Sequence, residues 1–203
     1  MGMRWFVALL MFGPLAVWAD PPASDTLPVL RFNTVCAHCH EGQCSGRLSF
    51  SLGPEATFTH IRRFAGDVDG ALVRQLQALL EHMKRECAYA PLPAPDMHGP
   101  LQREILDAYR DPATGNYFMP LGKLEPGTYR LTLHLEAPVS LRVEILNKWF
   151  DFLVDECFGC GRAVLSVMLE VDEASKHYLR LRSPTALRLE ELRLSRETGG
   201  AQR

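Results

Sequence analysis

The hydrophobic positions of this chain change their period near its middle. Over residues 69–87, apolar side chains recur at intervals of three and four, which is typical of one face of an α-helix. The residues of this face are Leu72, Leu76, Leu79, Leu80, Met83 and Cys87. Pro54 and Glu55 after Gly53 are typical of a helix start and predict a helix to about Phe64. Residues 101–110 have helical spacing again, and residues 30–35 are a candidate for a short helix. The first half of the chain is therefore predicted to be helical.

In the second half, apolar and polar residues alternate, which is the period of a half-buried β-strand. The clearest case is 127–136, where Tyr129, Leu131 and Leu133 alternate with polar residues. Five further strands are predicted at 139–147, 149–154, 164–171, 177–181 and 187–194. Short strands joined by turn residues indicate an antiparallel sandwich or barrel. A helical half followed by a β half indicates two domains, predicted here as residues 20–112 and 113–203.

Residues 1–19 have the pattern of a secretory signal peptide. Arg4 precedes an apolar run from Trp5 to Val17, and Ala19 closes a small-residue cleavage site. This run is shorter than the roughly 20 residues that a membrane span requires. We expect a protein exported to the periplasm and not stably inserted in the membrane after cleavage near Ala19. An uncleaved anchor is the alternative.

The charge of the chain argues against two classes of partner. The formal net charge is −2. Removal of residues 1–19, whose one charged residue is Arg4, makes it −3. A mature chain of this charge indicates neither nucleic acid nor an anionic membrane surface as a partner.

The main chemical signal is Cys36-Ala37-His38-Cys39-His40. The spacing C-x-x-C-H is that of c-type haem attachment. Each thiol forms a thioether with one haem vinyl group, and the following imidazole ligates the iron. The sequence therefore predicts one covalent haem c on Cys36 and Cys39, with His40 as the proximal iron ligand.

Four further cysteines are candidates for disulfides: Cys44, Cys87, Cys157 and Cys160. Four cysteines allow three pairings, and disulfides are the usual outcome in an oxidising compartment. The favoured pairs are Cys44–Cys87 and Cys157–Cys160. The second pair has C-x-x-C spacing but no following histidine, so it does not predict a second haem.

Around the haem motif, about residues 27–112 resemble the class I cytochrome c domain. Phe32 lies one helical turn before Cys36, and Leu106-x-x-Tyr109 matches the C-terminal helix of that family. The resemblance implies an all-α haem domain in which those residues pack together. It also implies a second iron ligand from a proline-containing loop before the last helix, which here is Met97. Other candidates for the second ligand are Met83, Met119, His60, His82 and His98, and an open sixth site is also possible.

The strand half contains no recognisable catalytic set. Residues 124–131 and 178–181 resemble jelly-roll binding modules appended to secreted proteins, which implies docking or ligand binding. The predicted fold is therefore an all-α cytochrome c-like domain followed by an antiparallel, jelly-roll-like β-sandwich.

The sequence favours an electron carrier over an enzyme. It predicts a mono-haem c-type cytochrome that exchanges one electron with a periplasmic redox protein or enzyme, while the β-sandwich docks the partner or shields the haem. One alternative is a haem enzyme or gas-binding haem protein with an open or labile sixth iron site. A second alternative is a secreted, disulfide-stabilised binding module without haem.

Overall fold

A computed structural model describes residues 26–42, 54–159 and 161–197 of the chain. The predicted signal peptide, Cys44 and Cys160 lie outside these residues, so export and the pairing of Cys44 with Cys87 stay predictions. Within the described residues, no helix is both long enough and apolar enough to cross a membrane.

The helices come first in the chain. One continuous helical segment consists of α1 (Thr26–Arg31), a π-helical turn (Phe32–Cys36) and α2 (Ala37–His40). It is followed by α3 (Pro54–Ala65) and α4 (Gly70–Glu86). Asp69 caps α4, because its side chain accepts a hydrogen bond of 2.7 Å from the Leu72 backbone N–H. π-Helical turns are rare and occur frequently at functional sites, and this one ends at Cys36, the first residue of the C-x-x-C-H motif.

The strands form two antiparallel sheets of four strands each in the described part of the chain. A short helix, α5 (Arg103–Leu106), and a 3₁₀ turn (Asp107–Tyr109) separate the first two strands. The strands are β1 (Leu101–Gln102), β2 (Tyr117–Leu124), β3 (Gly127–Leu135), β4 (Leu141–Asn147), β5 (Phe152–Phe158), β6 (Val164–Val171), β7 (Ser175–Arg182) and β8 (Leu189–Arg196). Their orders are β1-β8-β3-β6 and β2-β7-β4-β5.

The larger hydrophobic core lies between the two sheets. On β3, Tyr129, Leu131, Leu133 and Leu135 are all buried, as the alternation of this segment predicts. Their neighbours on the other face of the strand are more exposed. Alternating burial of this kind is what a sheet with one face on a core requires.

The predicted all-α, class I cytochrome c-like domain is wrong. Residues 101–110 do not form its last helix: Leu101 lies in β1, opposite Leu192 of β8, and only Arg103–Leu106 is α-helical. Leu106 and Tyr109 pack into the sandwich core, whereas Phe32 belongs to a separate helical core. The physical reason is that the sheet edge gives Leu101 both a hydrogen-bonding partner strand and a buried position. The division of the chain at residue 112 stays a prediction.

The helices pack onto one face of the sandwich through aromatic side chains. The ring of Tyr89 lies 4.9 Å from that of Phe118, 4.9 Å from that of Phe150 and 4.6 Å from that of Tyr178, measured between centroids. Phe150 has a left-handed φ of 69° and precedes β5, so the predicted strand at 149–154 is displaced. The left-handed turn directs this side chain into the helical core instead of the sheet.

Candidate functional site

A cavity of about 320 Å³ lies between the first helical segment, α3 and α4. Most of the side chains around it are apolar, and the C-x-x-C-H motif forms part of its wall. The lining residues are Phe32, Val35, Cys36, Cys39, His40, Thr57, His60, Ile61, Phe64, Leu76, Gln77 and Leu80. The predicted haem-anchoring residues are therefore brought together at one apolar cavity.

The two cysteines of the motif are free thiols. They lie three positions apart along the helix, so both reach the same side of it. Burial raises the pKa of the Cys36 thiol to about 11, although the positive charge of Arg31 opposes the shift. At neutral pH Cys36 is therefore a protonated thiol, which does not favour a thiolate metal ligand.

His40 lies at the end of α2, and its ring is half-buried. Its buried Nδ1 has no hydrogen-bond partner among the described residues. Burial lowers the pKa of His40, and the positive charge of Lys84 and the proximity of His60 lower it further. Lys84 also donates a hydrogen bond of 2.6 Å to the His40 carbonyl oxygen. A neutral imidazole of this kind has a lone pair available for a metal ion.

His60 on α3 faces His40 across this cavity. The centroids of the two rings are 6.3 Å apart, and their planes make an angle of 72°. Phe64, one turn further along α3, contacts the His60 ring at a centroid distance of 4.9 Å. His40 and His60 belong to different helices, α2 and α3, and no sequence spacing indicates that their rings lie close together.

A buried ion-pair network holds the end of α2 against the sandwich. Arg180 on β7 donates to Glu41, the residue after His40, through Nη1 at 2.6 Å and Nη2 at 2.9 Å. Its Nε donates to Glu144 on β4 at 2.6 Å. The Tyr89 hydroxyl also donates to Glu41. Burial disfavours the charge on Arg180, but the hydrogen bonds and charges of Glu41 and Glu144 raise its pKa overall. Sequence reasoning missed this network, because its members are far apart along the chain.

His38, between the two cysteines, is turned toward the sandwich and is absent from the cavity wall. Its Nδ1 lies 3.5 Å from a Glu144 carboxylate oxygen. Burial and the positive charge of Arg182 lower the pKa of His38.

The structure does not bring Met97 to the cavity of His40. Met97 packs against the sandwich core, and Met119 is buried inside that core. Met83 is buried in the helical core but does not line the cavity. His82 is not part of the cavity wall either, and the side chain of His98 is 98% exposed. Among the described residues that line this cavity, His60 is the one member of the predicted set of second iron ligands.

The two other described cysteines, Cys87 and Cys157, differ in their bonding state. Cys87 is disulfide-bonded, and its partner lies outside the described residues. Cys157 on β5 is an exposed free thiol, so the structure does not contain the predicted Cys157–Cys160 bridge. Within residues 26–42, 54–159 and 161–197, no group of three or more His, Cys, Asp or Glu side chains is arranged to hold a metal ion.

Comparisons with known proteins give distant structural similarities. No protein-family description matches the chain, and no curated protein matches it. An isomaltodextranase from Arthrobacter globiformis in complex with panose is 13% identical with a TM-score of 0.30, over 39% of this chain and 16% of that one. A CBM4 structure is 12% identical with a TM-score of 0.30, over 40% of this chain and 73% of that one. A family GH115 4-O-methyl-α-glucuronidase is 11% identical with a TM-score of 0.34, over 71% of this chain and 24% of that one. Similarities at this level carry no argument about the function of this chain.

The prediction of a class I cytochrome c that works as a one-electron carrier is wrong. That function was inferred from an all-α haem fold, whereas the chain is built around two antiparallel sheets. The loop methionine that the family resemblance implied as an iron ligand lies in contact with the sandwich core. The covalent haem itself and the roles of Cys36, Cys39 and His40 stay predictions.

Proposed function

We propose that this chain is a binding protein, not an enzyme, and that its binding site is the cavity beside Cys36–His40. The observation that carries the proposal is the composition of the cavity wall. The twelve lining residues surround a space of about 320 Å³ and include no acidic residue, lysine or arginine. Two of them are histidines, and two are the cysteines of the C-x-x-C-H motif. Concave apolar sites with a few placed polar groups are the usual form of small-molecule and cofactor sites.

The occupant that we propose is one haem c. Cys36 and Cys39 would hold it through two thioether bonds, and His40 would ligate the iron. Three features of the chain fit this group: both thiols are free, most of the lining side chains are apolar, and the buried Nδ1 of His40 has no hydrogen-bond partner among the described residues. When bound, the haem would supply an iron that can change its oxidation state or bind a further ligand, held at this cavity by Cys36, Cys39 and His40.

The chain's own residues bind and orient the group. Phe32, Ile61 and Leu76 keep water from the inner wall of the cavity, since all three are buried. Lys84 fixes the backbone of His40 by donating to its carbonyl oxygen. The Arg180–Glu41 pair then holds the end of α2 on the rigid sandwich. The proposed location of the protein is the periplasm, with residues 1–19 as its signal peptide.

A binding module without haem is the second candidate. It is favoured by the raised pKa of about 11 for Cys36, which keeps the thiol protonated and unreactive. In that case the same cavity binds an apolar ligand reversibly, and the free thiols only line it.

Covalent attachment separates the two candidates. The full chain would be produced in cells with a c-type haem maturation system, and intact mass and haem staining of the denatured protein would be measured. We expect the mass of one haem on the unmodified protein, its loss in the double variant Cys36→Ala/Cys39→Ala, and its retention in Cys157→Ala as the matched control. Absence of attached haem, together with saturable binding of an apolar fluorescent dye that the double variant retains, would support the second candidate instead. If the protein carries no attached haem and also binds no dye, the binding proposal is contradicted.

A further inference from the structure

The structure places a second imidazole opposite His40 across the cavity. His40 comes from α2 and His60 from α3, and the two ring centroids are separated by 6.3 Å. Both side chains line the same space. Their ring planes are inclined by 72°, so the rings do not stack.

This separation suits a metal ion bound between the two rings. A bond from a first-row divalent metal to an imidazole nitrogen is about 2.0 Å long, as it is for zinc. With one nitrogen of each ring directed at the same metal ion, two imidazoles on opposite sides of it have centroids about 6 Å apart, which is twice the metal–nitrogen bond length plus the distance from each nitrogen to its ring centre. The observed 6.3 Å agrees with this value. An edge contact between aromatic rings also falls in the range of roughly 4.5–7 Å, so the distance must be considered together with the other groups at the cavity.

Those other groups favour His60 as an iron ligand. The oxygen-bearing side chains of the wall, Thr57 and Gln77, hydrogen bond to each other at 3.3 Å. Cys36 and Cys39 project from the same helical segment as His40. His60 is also the only member of the predicted set of second ligands that the described cavity wall contains. Phe64 packs on its ring and restricts its orientation.

We propose that His60 is the second axial ligand of the haem iron, on the face opposite His40. The inference rests on the proposed haem and goes beyond it, because it assigns the other face of the iron. Two imidazoles on one iron give a lower reduction potential than an imidazole with a thioether. His60 also joins α3 to α2 through the iron, so the haem holds the helical layer together.

The test uses the full chain with attached haem and reads ligation separately from attachment. The unmodified protein should give a low-spin ferric spectrum without the near-infrared methionine–iron band. His60→Ala should keep one haem by mass, change to a high-spin ferric spectrum, bind carbon monoxide when reduced, and return to low spin on addition of imidazole. His82→Ala is the matched control and should keep the unmodified spectrum, because His82 lies on α4 outside the cavity wall.

A second variant covers the case in which His60→Ala does not accumulate. His60→Met should gain the near-infrared methionine–iron band. The inference is overturned if His60→Ala carries haem with an unchanged spectrum, if the unmodified protein already shows the methionine band or a high-spin spectrum, or if His60→Met acquires no new band. Failure to find any attached haem would instead overturn the proposed function, and this assignment with it.

Discussion

Replacing Arg180 with methionine tests how the end of the haem-motif helix is fixed to the sandwich. The Arg180 side chain is completely buried and forms ion pairs with Glu41 and Glu144, each with a closest N–O distance of 2.6 Å. Its Nη1 also donates to the Asn33 carbonyl oxygen at 3.3 Å. Methionine has a similar length but no charge, so it removes the cation without opening a large cavity.

The two carboxylates are affected unequally. Glu144 keeps Arg182 at 2.8 Å and Arg142 at 3.3 Å. Of the partners described for Glu41, only the Tyr89 hydroxyl remains. Removing one member of a buried ion pair costs about 3–5 kcal/mol, because the other charge stays buried without compensation. We therefore expect Arg180→Met to lower the free energy of unfolding by about 3–5 kcal/mol, with most of the loss caused by Glu41.

Urea unfolding of the full chain, followed by circular dichroism, measures this loss by linear extrapolation. Adding Glu41→Gln to Arg180→Met should recover stability, since it removes the uncompensated charge. Arg193→Met is the matched control: its side chain is 57% exposed and lies 4.0 Å from Glu191, so the expected change is below about 0.5 kcal/mol. The reasoning is refuted if Arg180→Met costs no more than this control, or if the double variant is less stable than the single one.

Three further predictions concern the sandwich and α4. Burial lowers the pKa of His177 below its usual value, so the unfolded chain binds a proton there that the folded chain does not, and stability should fall as pH drops through about 6.5. His177→Gln should make unfolding curves less sensitive to pH in that window, and an unchanged sensitivity would contradict this reasoning. Leu133 is fully buried, so Leu133→Ala should lower the free energy of unfolding in urea by about 2–5 kcal/mol. Met168 on β6 is 42% exposed, so Met168→Ala should lower it by less than about 0.5 kcal/mol, and equal losses would contradict the assigned core. Asp69→Ala removes the N-terminal cap of α4 and should lower the free energy of unfolding by about 1 kcal/mol. A midpoint of thermal unfolding equal to that of the unmodified protein would show that the cap does not stabilise the fold.

The local periodicities of the sequence predict individual elements well. The alternation over residues 164–171 matches β6 (Val164–Val171), and the helical spacing over residues 69–87 matches α4 (Gly70–Glu86). The interior of β2 (Tyr117–Leu124) escaped prediction, because five consecutive residues of it are buried and no alternation remains. A strand covered on both faces loses the period that identifies it.

The sequence likewise predicted one part of the candidate site and not the other. The spacing Cys36-x-x-Cys39-His40 places two thiols and an imidazole close together by local helix geometry alone, and all three line one cavity. The partner of His40 could not be chosen from the sequence, where Met97 and five other residues were all candidates. Only the packing of α3 against the first helical segment brings His60 to 6.3 Å from His40.

By itself, the sequence determined the strongly periodic elements, such as α4 and β6, and which residues of the haem motif share a helix side. These properties depend on a few consecutive residues and on fixed backbone geometry. The tertiary structure decided that Leu101 joins a sheet edge, that Leu106 and Tyr109 enter the sandwich core, and that His60 faces His40. Those outcomes depend on contacts between distant segments, where burial against a particular neighbour outweighs local preference.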